Sequence, residues 1–273
     1  MNVSDQAYLP RGDSAIMSAN RVVGIVQARM GSTRLPGKVL APILDVPMLQ
    51  HQLERVKRAK TLSHIIVATS DQATDDPIVA LCETLGVDVY RGNESDVLSR
   101  FTGAIASTNA DVVVRITADC PLMSPHVIDS VVNEFLASDA DYVSNTLEPT
   151  FPDGVDVEAV RASVLVNVEA HATDPAEREH VTLGVYRRPE EYIVKNFAGS
   201  SDLSELRWTV DSPEDFEFVT WVYTELYGDN PEFDLPEILE LLAQYPGQSR
   251  TGADSKRNAA LDGLDTGAMQ HRS

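Results

Sequence analysis

Short, nearly continuous apolar runs alternate with amphipathic segments through the first half of the chain, and this alternation restricts the fold more than any other feature. VVGIVQ (22–27), HIIVATS (64–70), VDVYRG (87–92) and DVVVRITAD (111–119) have the valine and isoleucine content of buried strands. Between and after them, 47–60, 76–86, 94–108 and 125–138 carry apolar residues at helical spacing, with Gly86 as a helix stop. Strands that are apolar on both faces, each followed by one helix, predict a mostly parallel sheet covered on both sides by right-handed crossovers. The expected fold is doubly wound α/β, Rossmann-like.

Beyond Tyr142 the alternation loosens. DYVSN (141–145) and VDVEAV (155–160) read as strands joined by a loop with Pro152 and Gly154, a small β element crossing the sheet. Helices are predicted over 163–173, 175–188, 213–228 and 236–245, and strands over 192–198 and 206–210. Residues 1–20 and 246–273 lack apolar periodicity and are expected to be disordered, leaving one domain over 21–245. With 43% hydrophobic and 23% charged residues in 273, the chain has enough apolar content for that core. Cys82 and Cys120 are the only cysteines and lack metal-ligand spacing, so neither a disulfide framework nor a structural zinc is supported. No signal peptide or membrane-length apolar run is present, which predicts a soluble, cytoplasmic protein with no membrane partner.

The charge is uneven. Twenty-two basic against 42 acidic side chains give −20, which argues against nucleic acid as a partner, whereas residues 21–60 hold eight basic and two acidic side chains, a local +6. Lys57, Arg58 and Lys60 read as a solvated helix face, but Arg29, Arg34 and Lys38 lie in the loop QARMGSTRLPGK (27–38), directly after the first strand. Ligands of open parallel sheets bind beyond the carboxyl ends of the strands. In this loop Gly31 permits close backbone approach, Ser32 adds a hydroxyl, and Gln27 and Ala28 begin the turn; the three cations suit a phosphate chain. It is neither a Walker A loop, since Val39 follows Lys38, nor GxGxxG. A purely structural surface loop is the alternative.

Other strand ends add carboxylates. Asp119 in RITADCPL (115–122) and Asp211 in TVDSPEDFE (209–217) each end a predicted strand ahead of a proline. Either each caps the following helix, or the two meet over one crevice as a Mg²⁺ site completed by substrate oxygens. Cys120 reads as a small buried residue. Asp156 and Glu158, two apart in a predicted strand, share a face that addresses either substrate hydroxyls or solvent. His180, in the helix over 175–188, is either a capping or buried histidine or a catalytic base.

Taken together, QARMGSTRLPGKVL, RITADCPL, FPDGVDVE, EREHVT and RWTVDSPED resemble the cytidylyltransferase family of CMP-3-deoxy-manno-octulosonate and acylneuraminate cytidylyltransferases, with the spore-coat polysaccharide branch nearest. The resemblance spans about residues 21–245. It implies a nucleotide-diphospho-sugar transferase-like fold, use of CTP and Mg²⁺, and a homodimer. It also implies that Arg29, Ser32, Arg34 and Lys38 contact the triphosphate and that Asp119 and Asp211 hold the metal. Ala118 stands where the family often has glycine. The reaction expected is attack of a sugar-acid hydroxyl, phosphate or phosphonate oxygen on the α-phosphorus of CTP, with Arg29, Lys38 and Asp119 as the catalytic groups. Glycosyl transfer from a nucleotide sugar and non-catalytic nucleotide-sugar binding are the rival readings.

Overall fold

A computed structural model describes residues 20–252; the segments 1–19 and 253–273, where most of both predicted tails fall, lie outside the described residues. In chain order the elements are β1 (Val22–Gln27), β2 (Pro42–Ile43), β3 (Val46–Pro47), α1 (Met48–Val56), β4 (His64–Ser70), α2 (Asp76–Leu85), β5 (Asp88–Gly92), α3 (Val97–Thr108) and β6 (Val112–Thr117). There follow α4 (Pro125–Leu136), β7 (Tyr142–Ser144), β8 (Glu158–Arg161), α5 (Ala162–His171), α6 (Pro175–Glu179), α7 (Leu183–Tyr186), β9 (Val194–Asn196), α8 (Pro213–Leu226) and α9 (Leu235–Gln244).

Seven strands form one sheet in the order β5-β4-β1-β6-β8-β7-β9. β1 pairs in parallel with both β4 and β6, β4 with β5, and β7 with β9. β8 runs antiparallel to both β6 and β7. The small β element expected to cross the sheet is thus part of it, and β2 and β3 form a separate two-stranded hairpin.

Alternate residues of each strand face opposite helical layers. Val22, Val26, Val67, Val112, Val114 and Ile116 pack with residues of α1, α2, α4, α8 and α9. Val23, Ile25, Ile66, Ala68 and Val113 pack with α3, α5 and the 181–185 segment. This two-sided burial explains why the strands read as unbroken apolar runs. Helix ends follow local chemistry: Gly86 closes α2 at φ +61, Ser124 caps α4 ahead of Pro125, and Ser212 and Asp215 form a capping box that opens α8 at Pro213.

Four expectations change. The helix predicted over 175–188 is two short helices, α6 and α7, broken at His180 and Val181, the latter at φ +43. The 206–210 run is extended but makes only isolated bridges, Asp153 to Arg207 and Leu206 to Thr251. Its amides are taken by loops instead: Trp208 N and Thr209 N donate to Asp153 O at 2.6 and 3.0 Å, and Val210 N donates to Asp119 O at 2.8 Å. β8 begins at Glu158, so Asp156 precedes the strand. Finally, residues 246–252 are ordered against the body: Arg207 N donates to Arg250 O and Gly252 N to Glu205 O, at 2.9 and 2.8 Å.

Candidate active site

The loop 27–38 lies over the carboxyl ends of β1, β4 and β6, held by backbone bonds from Ala28 N to Ala68 O and from Ala118 N to Gln27 O, at 3.1 and 2.9 Å. Its anchor is Asp75, 1% exposed, which accepts from Met30 N at 2.8 Å, Thr69 Oγ1 at 3.0 Å, and both the amide and hydroxyl of Ser70. Burial pushes the Asp75 carboxyl up, but these bonds outweigh it and hold its pKa below 3.8. Gly37, at φ +73, then turns the chain into the 3-10 turn Lys38–Leu40. Arg29 and Arg34 are exposed and Ser32 is half-buried, with its hydroxyl accepting from Leu35 N at 3.2 Å. Gln27 Oε1 is buried and makes no hydrogen bond among the described residues.

Lys38 points inward. Its ammonium donates to Val210 O at 2.6 Å and Asp211 Oδ1 at 3.0 Å and lies 3.4 Å from Asp119 Oδ2, with the side chain 10% exposed. Asp119 and Asp211, 92 positions apart, are therefore brought to one point. Two features place Asp211 there. The peptide bonds described above seat 208–210 against Asp153 and Asp119. The buried Arg207 binds Asp211 Oδ2 at 2.8 Å while also pairing with Asp153 at 2.9 Å and Asp215 at 3.2 Å. Arg34 reaches Asp211 Oδ1 at 3.1 Å, and Arg250 reaches Asp215 at 3.2 Å. Burial raises the pKa of Asp211, yet Lys38, Arg207 and Arg34 together hold it below the ordinary 3.8.

The turn opposite depends on Gly154. Its φ is +110, and a Cβ there would lie 2.5 Å from Thr209 N and 2.6 Å from Trp208 C. Asn145 fixes the same loop, donating to Val155 O at 2.8 Å and accepting from Val157 N at 2.9 Å. Asp156 is half-buried near this end; with Asp119 and Asp153 its charge adds to burial in pushing the Cys120 thiol far up. Cys120 is 3% exposed, as expected of a small buried residue.

The two remaining candidates form a separate polar cluster on the α3–α5–α7 side. Glu158, 8% exposed, pairs with Arg115 of β6, accepts from Tyr142 Oη at 2.7 Å and bonds Thr182 Oγ1. Its carboxylate is neither on a solvated face nor free for substrate hydroxyls, because the facing strand supplies a cation. His180 is half-buried after α6; burial, with the nearby charges of Arg115 and Arg187, holds its pKa below 6.5. Arg187 Nε and Nη2 and Arg115 Nε are buried and make no hydrogen bond among the described residues. Asp75, Arg207, Asp215, Arg250 and Gly154 were not anticipated as supports of the site. The four-residue spacing of Arg207 and Asp211 was the one available hint.

Two protein carboxylates sharing one ammonium show that a cation fits between them. Among the described residues no group of three or more His, Cys, Asp or Glu side chains is placed to hold a metal, so a divalent ion there needs most of its oxygens from substrate or water. A Rossmann-like sheet with a cationic loop and two carboxylates at its carboxyl edge fits a nucleotidyltransferase. The profile of the cytidylyltransferase family matches residues 23–220, and the chain belongs to that family. It is 33% identical over 234 residues to the spore coat polysaccharide biosynthesis protein of Bacillus subtilis, covering 83% of this chain and 96% of that one. It is also 33% identical over 247 residues to the 3-deoxy-manno-octulosonate cytidylyltransferase of Solibacter usitatus, covering 81% and 94%. A solved cytidylyltransferase from Leptospira borgpetersenii superposes with a TM-score of 0.80 at 32% identity, covering 84% and 96%.

Proposed function

We propose that this cytidylyltransferase transfers CMP from CTP to a small anionic acceptor, a sugar acid or a related phosphate or phosphonate, in the synthesis of a surface polysaccharide or glycoconjugate precursor. The observation that carries the reading is the convergence of Lys38, Asp119 and Asp211 at the sheet's carboxyl edge beside the 27–38 loop. An acceptor oxygen attacks the α-phosphorus, the bond to the bridging oxygen of the β-phosphate breaks, and pyrophosphate leaves. The acceptor hydroxyl's proton passes to solvent or a nearby carboxylate.

Arg29, Arg34 and Ser32, exposed or half-exposed on the loop, bind the phosphates and orient the leaving group, and the backbone at Gln27, Ala28 and Gly31 leaves room for close approach. Lys38 takes up negative charge as pyrophosphate forms. Asp119 and Asp211 would hold Mg²⁺, which supplies charge neutralisation at the α-phosphate when bound. Asp156, half-buried near this end, would accept a hydrogen bond from an acceptor hydroxyl. A preference for an anionic acceptor draws on Arg115 and Arg187, which pair with Glu158 and Asp174 yet retain buried N–H donors without hydrogen bonds among the described residues.

The test is pyrophosphate release from CTP with Mg²⁺ and a panel of sugar acids. Lys38→Ala and Asp119→Asn should each lower turnover by about 10²–10³-fold, the usual loss for one preorganised charge contact. Near wild-type turnover in both would sink the assignment. Nucleoside diphosphate released from a nucleotide-sugar donor, with no pyrophosphate formed from CTP, would indicate glycosyl transfer.

A further inference from the structure

Lys38 has no donor to spare. Its three N–H bonds point to Val210 O at 2.6 Å, Asp211 Oδ1 at 3.0 Å and Asp119 Oδ2 at 3.4 Å. Arg34 lies on the same Oδ1 at 3.1 Å. The oxygens best placed to receive a divalent cation are thus already neutralised by the cations that the reaction needs on the phosphates. A divalent ion 2.0–2.1 Å from these oxygens, roughly the Mg²⁺ ligand distance, would sit against the Lys38 ammonium, and like charges at that separation repel strongly. Among the described residues Asp119 Oδ1 meets only the Cys120 thiol at 3.5 Å, so the competition concerns a metal that bridges the two carboxylates: such a metal and Lys38 do not share Asp211 Oδ1 and Asp119 Oδ2 in this arrangement.

The partners of Asp211 differ in mobility. Arg34 is 58% exposed on its side chain and sits on a surface loop; Lys38 follows Gly37 at φ +73, and its four-carbon stem gives the amine reach. Arg207 is 2% exposed and fixed on both sides by Asp153 and Asp215, so Asp211 Oδ2 stays occupied. The exchangeable oxygens are Oδ1 of Asp211 and Oδ2 of Asp119.

We propose that Lys38 is the resident counter-ion of the Asp119–Asp211 pair in the nucleotide-free protein, and that nucleotide and divalent cation enter together. The triphosphate draws Lys38 and Arg34 off the carboxylates, and only then are the two oxygens open to the metal. Arg207 meanwhile restricts Asp211 to one free oxygen. The proposal rests on reading this site as the nucleotide centre, but it makes a prediction that involves neither acceptor nor turnover: the free protein does not load with metal first.

Mn²⁺ binding to nucleotide-free protein, followed by the electron paramagnetic resonance of free ion, provides the test. Wild type should bind Mn²⁺ weakly, and Lys38→Met and Lys38→Gln should bind it about tenfold or more tightly, the size of effect expected for removing one adjacent positive charge. Adding Asp119→Asn to either variant should reverse the gain. No tightening in a folded variant, or wild-type affinity already equal to that of the variants, overturns the proposal.

Should both variants fail to fold, wild-type crystals with Mn²⁺ and CTP but no acceptor decide it. Anomalous scattering between Asp119 and Asp211 with the Lys38 amine moved away supports the exchange. A metal there with Lys38 unmoved, or no metal there, refutes it. Metal exchange without CMP transfer to any acceptor would leave this inference standing and remove only the proposed reaction.

Discussion

An alanine at position 154 would disturb the site without touching any charged group. Gly154 sits at φ +110, where an L side chain costs about 1–3 kcal/mol. The added Cβ would also lie 2.5 Å from Thr209 N and 2.6 Å from Trp208 C, so backbone must move by most of an ångström. The bonds at risk are those from Trp208 N and Thr209 N to Asp153 O, now 2.6 and 3.0 Å, each worth about 1 kcal/mol net. Together these predict a loss of about 3–5 kcal/mol, or roughly 10 °C in Tm at the 2–4 °C per kcal/mol typical of a domain this size. Because 208–210 also carries Asp211 to Lys38, Gly154→Ala should lower turnover even at temperatures where it is fully folded. Gly86→Ala is the control: φ is +61 but a Cβ there would meet nothing within 4 Å beyond its own chain neighbours, so only strain of about 1 kcal/mol is expected and activity should hold. Thermal unfolding and pyrophosphate release on both variants provide the assay. Equal, small effects at the two positions would refute the reasoning that the 153–154 turn seats the Asp211 segment.

Arg207→Met leaves Asp153, Asp211 and Asp215 without their shared cation and should cost about 3–5 kcal/mol at pH 7, measured by urea unfolding. The penalty should shrink toward pH 4, as the exposed repulsion is relieved by protonation; a pH-independent loss would count against it. Asp75 has a folded pKa below its ordinary 3.8, so its stabilisation is complete above that value and is lost as pH falls through the lower folded one. Asp75→Asn should therefore be less stable than wild type at pH 7 by about 1–3 kcal/mol, yet lose less stability between pH 4 and pH 2, and should raise the KM for CTP by loosening Met30. An unchanged acid limb would remove Asp75 from the account.

Much of the architecture was legible because β1, β4 and β6 are buried on both faces, so their apolar runs carry the signal directly, and the loops at the carboxyl ends of β1 and β6 concentrate Arg29, Arg34, Lys38 and Asp119. Less local features were not. The direction of β8 has no signature in four residues, and the neutralisation of Glu158 depends on Arg115 facing it across β6 and β8, a register absent from either segment alone. Val181 at φ +43 breaks the helix predicted over 175–188 although valine disfavours that conformation, so composition pointed the wrong way. Over 206–210 the β-like composition was real, but the amides bond to Asp153 and Asp119 rather than to a neighbouring strand. The same folding brings Arg207 to Asp153, 54 positions away.

The central claim is CMP transfer at the crevice of Lys38, Asp119 and Asp211. It is tested most directly by incubating the protein with CTP labelled at the α-phosphate, Mg²⁺ and a panel of sugar acids and sugar phosphates, with mass analysis of products. One anionic acceptor should gain the mass of CMP and carry the label, with one pyrophosphate released per product. Release of labelled CDP, or no labelled adduct with any anionic acceptor while a neutral one is modified, would contradict the account.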